Sequence, residues 1–293
     1  MRTIRVGSRD SKLAVMQTQI VLDTLKQAHP ELEFELVTLK TTGDLILDKT
    51  LDKIGGKGLF VKELDQALMD GRVDMTVHSL KDMPMEENPD LPVVAYSTRG
   101  DPRDALVLAA GHDPEKPLAV IGSSSARRQI QLAKLFPGVA VHSMRGNIIT
   151  RLEKLDRGEC SALVLAASGL MRAGLSHRIT RPFSVQEMLP AAGQGILAVQ
   201  CRRDFDAGFL TAADDPASRA AAMAERGFVR TLDGGCSSPI AAFAQVNGHE
   251  LRLTGLYVDP QTGRQALGSM TDTVEHAALC GERLAIRLKG QVE

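Results

Sequence analysis

Tryptophan is absent from this sequence and tyrosine occurs only twice. Aromatic platforms for stacking single-stranded nucleic acid are therefore scarce, and a nucleic-acid partner is not expected. No apolar run approaches the ~18 residues that a membrane-spanning helix needs, so no membrane association is expected. The four cysteines include no C-x-x-C pair, which excludes an encoded disulfide framework or zinc cluster. No histidine pair has metal-ligand spacing, and no bound metal is expected. The opening stretch MRTIRVGSRDSKLAV lacks the apolar core of a signal peptide, so a reducing cytoplasm is the expected setting. Low-complexity tracts and tandem repeats are also missing.

What is present begins with an uneven charge distribution. The 293 residues carry a net charge of −1. Yet the window 123–181 holds ten Lys or Arg against Glu153, Asp156 and Glu159, a surplus of +7 that leaves the remainder at −8. With few aromatics to accompany that surplus, small polyanions are the expected partners. A chain of this length that is 43% hydrophobic can bury the cores of two or three domains.

Periodicity in the first half predicts strand–loop–helix units: a strand over 4–7, a helix over 12–28, a strand over 33–39, a helix over 60–69 and a strand over 73–77. The pattern then restarts, with strands at 119–121, 139–142 and 162–166 and helices at 126–136 and 148–157. VGSRDSKL (6–13) and IGSSSARR (121–128) look like one device used twice. The alternation implies two α/β domains with largely parallel sheets. After Asp214-Asp215-Pro216 the texture changes. An Ala-rich helix over 218–232, strands over 240–246, 250–258 and 265–270, and a closing helix over 273–288 predict a small α+β domain.

Several stretches have the composition of a site. GSSSARRQ combines hydroxyls near a helix N-cap, outward N–H groups and two guanidiniums, a set suited to carboxylate or phosphate. A Ser-capped surface helix is the plainer alternative. MRGNIITR (144–151) and Arg172 repeat the motif of arginine beyond a strand, and ligands of open α/β sheets bind at those strand ends. GGKGLF (55–60) lacks the Walker pattern and reads as a Gly-rich turn or a mobile loop. VHSLKDMP (77–84) ends an apolar strand in Lys81-Asp82, and His78 is either a general base or a hydrogen-bonded structural residue. Cys160, Cys201 and Cys280 read as buried small hydrophobes. Cys236 differs, because LDGGCSSPI (232–240) sets it between glycines and a Ser-Ser-Pro turn, where a covalent role competes with a merely exposed thiol.

Taken in order, SRDSKLA, TTGD, GGKGLFVKELDQAL, VHSLKDMP, DPRDA, GSSSARRQ, RGNIITRL, PAAGQG and LDGGCSSPI closely resemble the porphobilinogen deaminase (hydroxymethylbilane synthase) family over nearly the whole chain. The resemblance implies two α/β domains of the type II periplasmic-binding-protein kind plus a small C-terminal α+β domain. Residues 1–98 with 195–214 would form the first, 99–194 the arginine-rich second, and 215–293 the third. It also implies a transferase that joins four porphobilinogen molecules to a dipyrromethane primer, releases ammonia and finally frees linear hydroxymethylbilane.

The roles follow by matching positions. Cys236 would carry the dipyrromethane through a thioether, and Asp82 would be the catalytic carboxylate beside the cofactor. Lys81, Ser123, Ser125, Arg127 and Arg128 would hold the cofactor, and Arg9, Ser11, Gln17, Arg145, Arg151 and Arg172 the incoming or growing pyrroles. Lys53 and Lys57 would lie on a mobile loop, and the protein is expected to be a monomer. The rival reading is a non-catalytic anion-binding module of two domains, which leaves Asp82 and Cys236 without a purpose.

Overall fold

The computed structural model describes residues 3–45, 58, 61–113, 116–235 and 238–292. The strand and helix periodicities build two sheets of five strands, and the alternating C-terminal segments build a third sheet of three. The first sheet contains β1 (Thr3–Arg9), β2 (Glu33–Leu39), β3 (Met75–Ser79), β4 (Val93–Tyr96) and β10 (Leu197–Cys201), in the order β2-β1-β3-β10-β4. The second contains β5 (Asp104–Leu108), β6 (Val120–Gly122), β7 (Ala140–His142), β8 (Ala162–Ala166) and β9 (Arg181–Pro182), in the order β7-β6-β8-β5-β9. The two orders are the same pattern. In each, the fourth place belongs to a strand arriving from the other sheet, and that strand alone runs against its neighbours.

Helices α1 (Lys12–Ala28), α2 (Thr42–Leu45) and α3 (Lys62–Met69) accompany the first sheet, and α4 (Ala126–Leu135), α5 (Ile148–Asp156) and α6 (Ala167–Arg172) the second. The expected duplication is visible here: β1 and β6 hold the same place in their sheets, and each leads through serines into a helix. Ser11 Oγ caps α1 by accepting from Ala14 N at 3.3 Å, and Asn147 Oδ1 caps α5 by accepting from Thr150 N at 2.9 Å. Ser125 stands at the N-cap of α4 without a side-chain cap bond, which leaves that helix end without a hydroxyl cap. One predicted strand starts late. Asp74 is fully buried and accepts from the backbone N, Nε and Nη2 of Arg5, so the ladder of β3 begins only at Met75.

The third sheet is an antiparallel meander, β11 (Ala241–Asn247), β12 (Glu250–Val258) and β13 (Gln265–Thr273). Helices α7 (Pro216–Thr231) and α8 (Ala277–Lys289) cover it around the fully buried Phe228. A Cβ on Gly281 would stand 2.2 Å from Ala224 O, so only glycine lets these two helices lie so close. The closing helix was expected from 273, but β13 still pairs Thr273 with Glu250, and the helix follows a 3₁₀ turn over Val274–His276.

Two crossover segments, 97–103 and 190–196, join the first and second sheets, and they touch. Gly100 N donates to Gly195 O at 3.0 Å, while Gly195 has φ +93° and a Cβ there would lie 2.6 Å from Gly100 O. Glu225 on α7 fastens this junction to the third sheet. Its carboxylate is fully buried and accepts from Arg99 Nη1 at 2.6 Å, Gly193 N at 2.7 Å and Ala244 N at 2.8 Å. Glu225→Ala would leave the Arg99 guanidinium without its anion and two backbone N–H groups unpaired. Chemical denaturation is expected to report a loss of about 3–5 kcal/mol.

Candidate functional site

Strand β3 carries the chain into a one-turn 3₁₀ helix, Leu80–Asp82, whose fully buried Leu80 anchors it and donates its N–H to Ile196 O at 3.0 Å. Lys81 and Asp82 are thereby set at the strand end, both partly exposed. A small cavity beside them is lined by Arg9, Gln17, His78, Ser79 and Asp82. The buried Gln17 accepts from Ser79 Oγ at 3.0 Å, which leaves its amide nitrogen as a donor. His78 Nε2 lies 2.9 Å from Thr76 Oγ1. Burial first, then the charge of Arg9, pulls the pKa of His78 down to about 4. The imidazole is neutral near pH 7 and too weak a base for proton abstraction there, so the structural reading of His78 is the one supported.

The second sheet contributes a buried charge cluster built on Asp104, the first residue of β5. Asp104 is fully buried and accepts from Arg127 Nη1 at 2.8 Å, Arg128 Nε at 3.2 Å, Arg128 Nη2 at 2.7 Å and Gln194 Nε2 at 2.9 Å. Burial alone would raise its carboxyl, but the two guanidiniums overcome that and hold it well below the carboxylate range. The arginines also bond carbonyls, Arg127 Nη1 to Leu189 O at 2.6 Å and Arg128 Nη1 to Val164 O at 3.0 Å. Two buried guanidiniums therefore share one carboxylate. Neither is the free surface cation that a Ser-capped helix would carry.

Further cations gather around this pair. Burial draws the pKa of Lys81 down to about 8, with Asp82 and Asp104 acting in favour of its charge and Arg128 and Arg127 against it. Arg151 is brought to about 10 by burial, Arg128 and Arg145, although Asp82 opposes the shift. Its Nε donates to Gly146 O at 2.7 Å. Arg145 Nη1 is buried without a hydrogen-bond partner. Arg172, lowered to about 10 by burial, donates through Nη2 to Gly195 O at 2.6 Å, where the crossovers meet. Ser123 is buried, and its Oγ accepts from Ser125 N at 3.4 Å.

Of the residues expected from sequence, Lys81, Asp82, Arg127, Arg128, Arg145 and Arg151 thus fall into one electrostatic cluster drawn from both α/β units. Arg9 and Gln17 join it through the cavity at Asp82. Ser11 is engaged in capping α1, and Arg172 stands at the crossover junction. Cys236, Lys53 and Lys57 lie outside the described residues. Cys160, Cys201 and Cys280 are buried as expected, and burial raises all three thiols, Cys201 to about 11. Sequence reasoning did not single out Asp104 or Gln194. Their signals were an acid opening the apolar strand DALVL and a lone amide among the glycines of PAAGQG. Among the described residues no group of three or more His, Cys, Asp or Glu is arranged for a metal, and no helix is long and apolar enough to cross a membrane.

The model described as "Porphobilinogen deaminase, dipyromethane cofactor binding domain" matches residues 4–208, and that described as "Porphobilinogen deaminase, C-terminal domain" matches 220–290. A porphobilinogen deaminase of Acetivibrio thermocellus is 59% identical over 87% of this chain and 88% of its own length. One from Alkaliphilus oremlandii is 54% identical over 99% of this chain and 98% of its own. Among solved structures, substrate binding domain 2 of Lactococcus lactis GlnP has 10% identity and a TM-score of 0.43, over 73% of this chain and 87% of that domain.

The Asp104 arrangement has a measurable consequence. Its depressed pKa means that the ionised carboxylate stabilises the fold fully above about pH 4, and progressively less as the pH falls further. Asp104→Asn is expected to cost about 3–5 kcal/mol in urea unfolding at pH 7, because two buried guanidiniums lose their anion. The gap between variant and wild type should narrow below about pH 4.

Proposed function

The chain belongs to the porphobilinogen deaminase family, and from that membership we infer that it catalyses the hydroxymethylbilane synthase reaction. Four porphobilinogen molecules are deaminated and condensed head to tail onto a dipyrromethane primer, ammonia is released, and hydrolysis frees linear hydroxymethylbilane for haem biosynthesis. The observation that carries this reading is the excess of positive charge gathered around the buried Asp104. Arg127 and Arg128 share one carboxylate, Arg145 Nη1 has no partner, and Lys81 and Arg151 are pulled below their ordinary values. Each porphobilinogen bears an acetate and a propionate, so both the primer and its growing chain are polyanions. The residues present fit such a group: donors and charge are in place, and a carboxylate would satisfy the unpaired guanidinium nitrogen.

When bound, the dipyrromethane supplies the free pyrrole end to which incoming units are joined. We assign its thioether to Cys236, which the sequence LDGGCSSPI sets between two glycines and a Ser-Ser-Pro stretch. Lys81, Ser123, Ser125, Arg127 and Arg128 hold its carboxylates in this reading, the arginines through the N–H groups that Asp104 and the carbonyls leave over. Arg9, Ser11, Gln17, Arg145, Arg151 and Arg172 receive incoming or growing pyrroles, and Lys53 and Lys57 of the Gly-rich stretch are assigned to the same anions. Asp82 sits against the cavity formed with Arg9 and Gln17, a support for placing the reacting centre there. Its carboxylate stabilises the cation that develops on the incoming pyrrole as ammonia leaves, and its Oδ atoms hold the proton of the pyrrole nitrogen or departing amine. Where the bound chain excludes water from the cleft, that charge pairing is several-fold stronger than in bulk water.

For domains we keep 1–98 with 195–214, 99–194 and 215–293, a division supported by the return of β10 to the first sheet. A reducing cytoplasm, which keeps the Cys236 thiol available, and a monomeric state complete the proposal. A bare anion-binding module is not favoured, since it gives Asp82 no task. Asp82→Asn retains size and hydrogen bonding but removes the charge. Single-turnover elongation followed by mass detection is expected to slow by ~10²–10³, about 3–4 kcal/mol. Elongation at near wild-type rate would remove Asp82 from the chemistry.

A further inference from the structure

The second crossover delivers Gln194 between Asp104 and Lys81, and its side chain is fully buried. Nε2 donates to Pro102 O at 2.7 Å and to Asp104 Oδ1 at 2.9 Å. Both partners accept only, so the orientation of the amide is determined and Oε1 faces the other way. There it meets Lys81 Nζ, which only donates, at 3.5 Å. The backbone carbonyl of Gln194 accepts from Arg99 Nε at 2.9 Å, and Arg99 is held in turn by Glu225. The amide is thus located from the crossover side as well as from the cleft side.

We propose that Gln194 is a positioning residue for the reaction: it links Asp104 to Lys81 and so fixes the place and the proton of the Lys81 ammonium beside Asp82. The part Lys81 plays in the reaction rests on the function inferred above, whereas the linkage rests on geometry alone. Among the described residues, the charges that act on Lys81 include Asp82 on its own turn, Asp104 on β5, and Arg127 and Arg128 on α4. With these opposed, burial brings the amine to a pKa of about 8. Close to that balance, the partial negative charge of a fixed amide oxygen favours the ammonium, the form that pairs with a carboxylate. A neutral amine would not.

The test uses the purified full chain with its primer attached. Competitive acetylation of Lys81 against pH, read by mass spectrometry, gives its pKa without turnover, and the pH profile of kcat/KM is measured alongside. Gln194→Met keeps the length and removes the amide. It is expected to move the Lys81 pKa below the wild-type value of about 8, with the alkaline limb of the profile following. Gln194→Glu sets a carboxylate in the same place and is expected to raise both by about one unit or more. A glutamine that only supports the fold would lower activity or stability and leave both curves in place. An unchanged Lys81 pKa in whichever variant folds overturns the linkage. A shifted pKa with an unmoved profile overturns its part in the reaction. Wild-type protein that labels normally but never elongates its primer would instead count against the inferred function.

Discussion

One carboxylate serves two buried guanidiniums, and most of the cleft follows from that shortfall. Asp104 neutralises one of Arg127 and Arg128 but not both, and the pair cannot move into water because its hydrogen bonds tie it to Leu189 and Val164. An unbalanced buried charge is costly unless something of opposite sign arrives. Lys81, Arg145 and Arg151 deepen the imbalance. Burial lowers the pKa of Lys81 and of Arg151, so a polyanion that enters strengthens the charged form of both. A further buried acid beside Arg127 and Arg128 would have given a more stable resting protein and a weaker site.

That cluster is assembled from two sheets, so it exists only if the sheets keep their relative position. The reversed strands β5 and β10 are the direct result of the chain passing twice between them. The crossovers meet at Gly100 and Gly195, where Gly195 has no room for a side chain, and Glu225 fixes that contact to the third sheet. Arg172 and Gln194 reach the same junction from the cleft side, through Gly195 O and Arg99 respectively. The residues we propose to bind the ligand and those that join the units therefore overlap. Growth of a polyanion inside the cleft must be accommodated at this junction or by exchange of partners among the arginines.

Much of this was legible in the sequence because loops after strands carry their chemistry in consecutive residues. VHSLKDMP, GSSSARRQ and MRGNIITR each announce a strand end, a turn and a charged group, and their repetition gives two sheets of one topology. Asp104, Gln194 and Glu225 were not legible for a shared reason. Their partners are distant in the chain, with a sequence separation of 23 for Asp104 and Arg127 and of 126 for Arg99 and Glu225. Nothing local distinguishes a buried Glu in an Ala-rich helix from a solvated one. Whether His78 is a base or a structural residue was likewise undecidable until its burial beside Arg9 was known. Helix and strand ends moved by a few residues where a side chain such as Asp74, or a ladder such as β12–β13, fixed the boundary instead of the apolar period.

We propose that the surplus of positive charge around Asp104 holds a dipyrromethane attached to Cys236. The intact mass of the native chain addresses it most directly, combined with peptide mapping of any adduct. The expected result is a mass exceeding that of the sequence by one dipyrromethane, carried on the peptide containing Cys236 and on none containing Cys160, Cys201 or Cys280. An active chain of bare sequence mass, or an adduct on another cysteine, would contradict it.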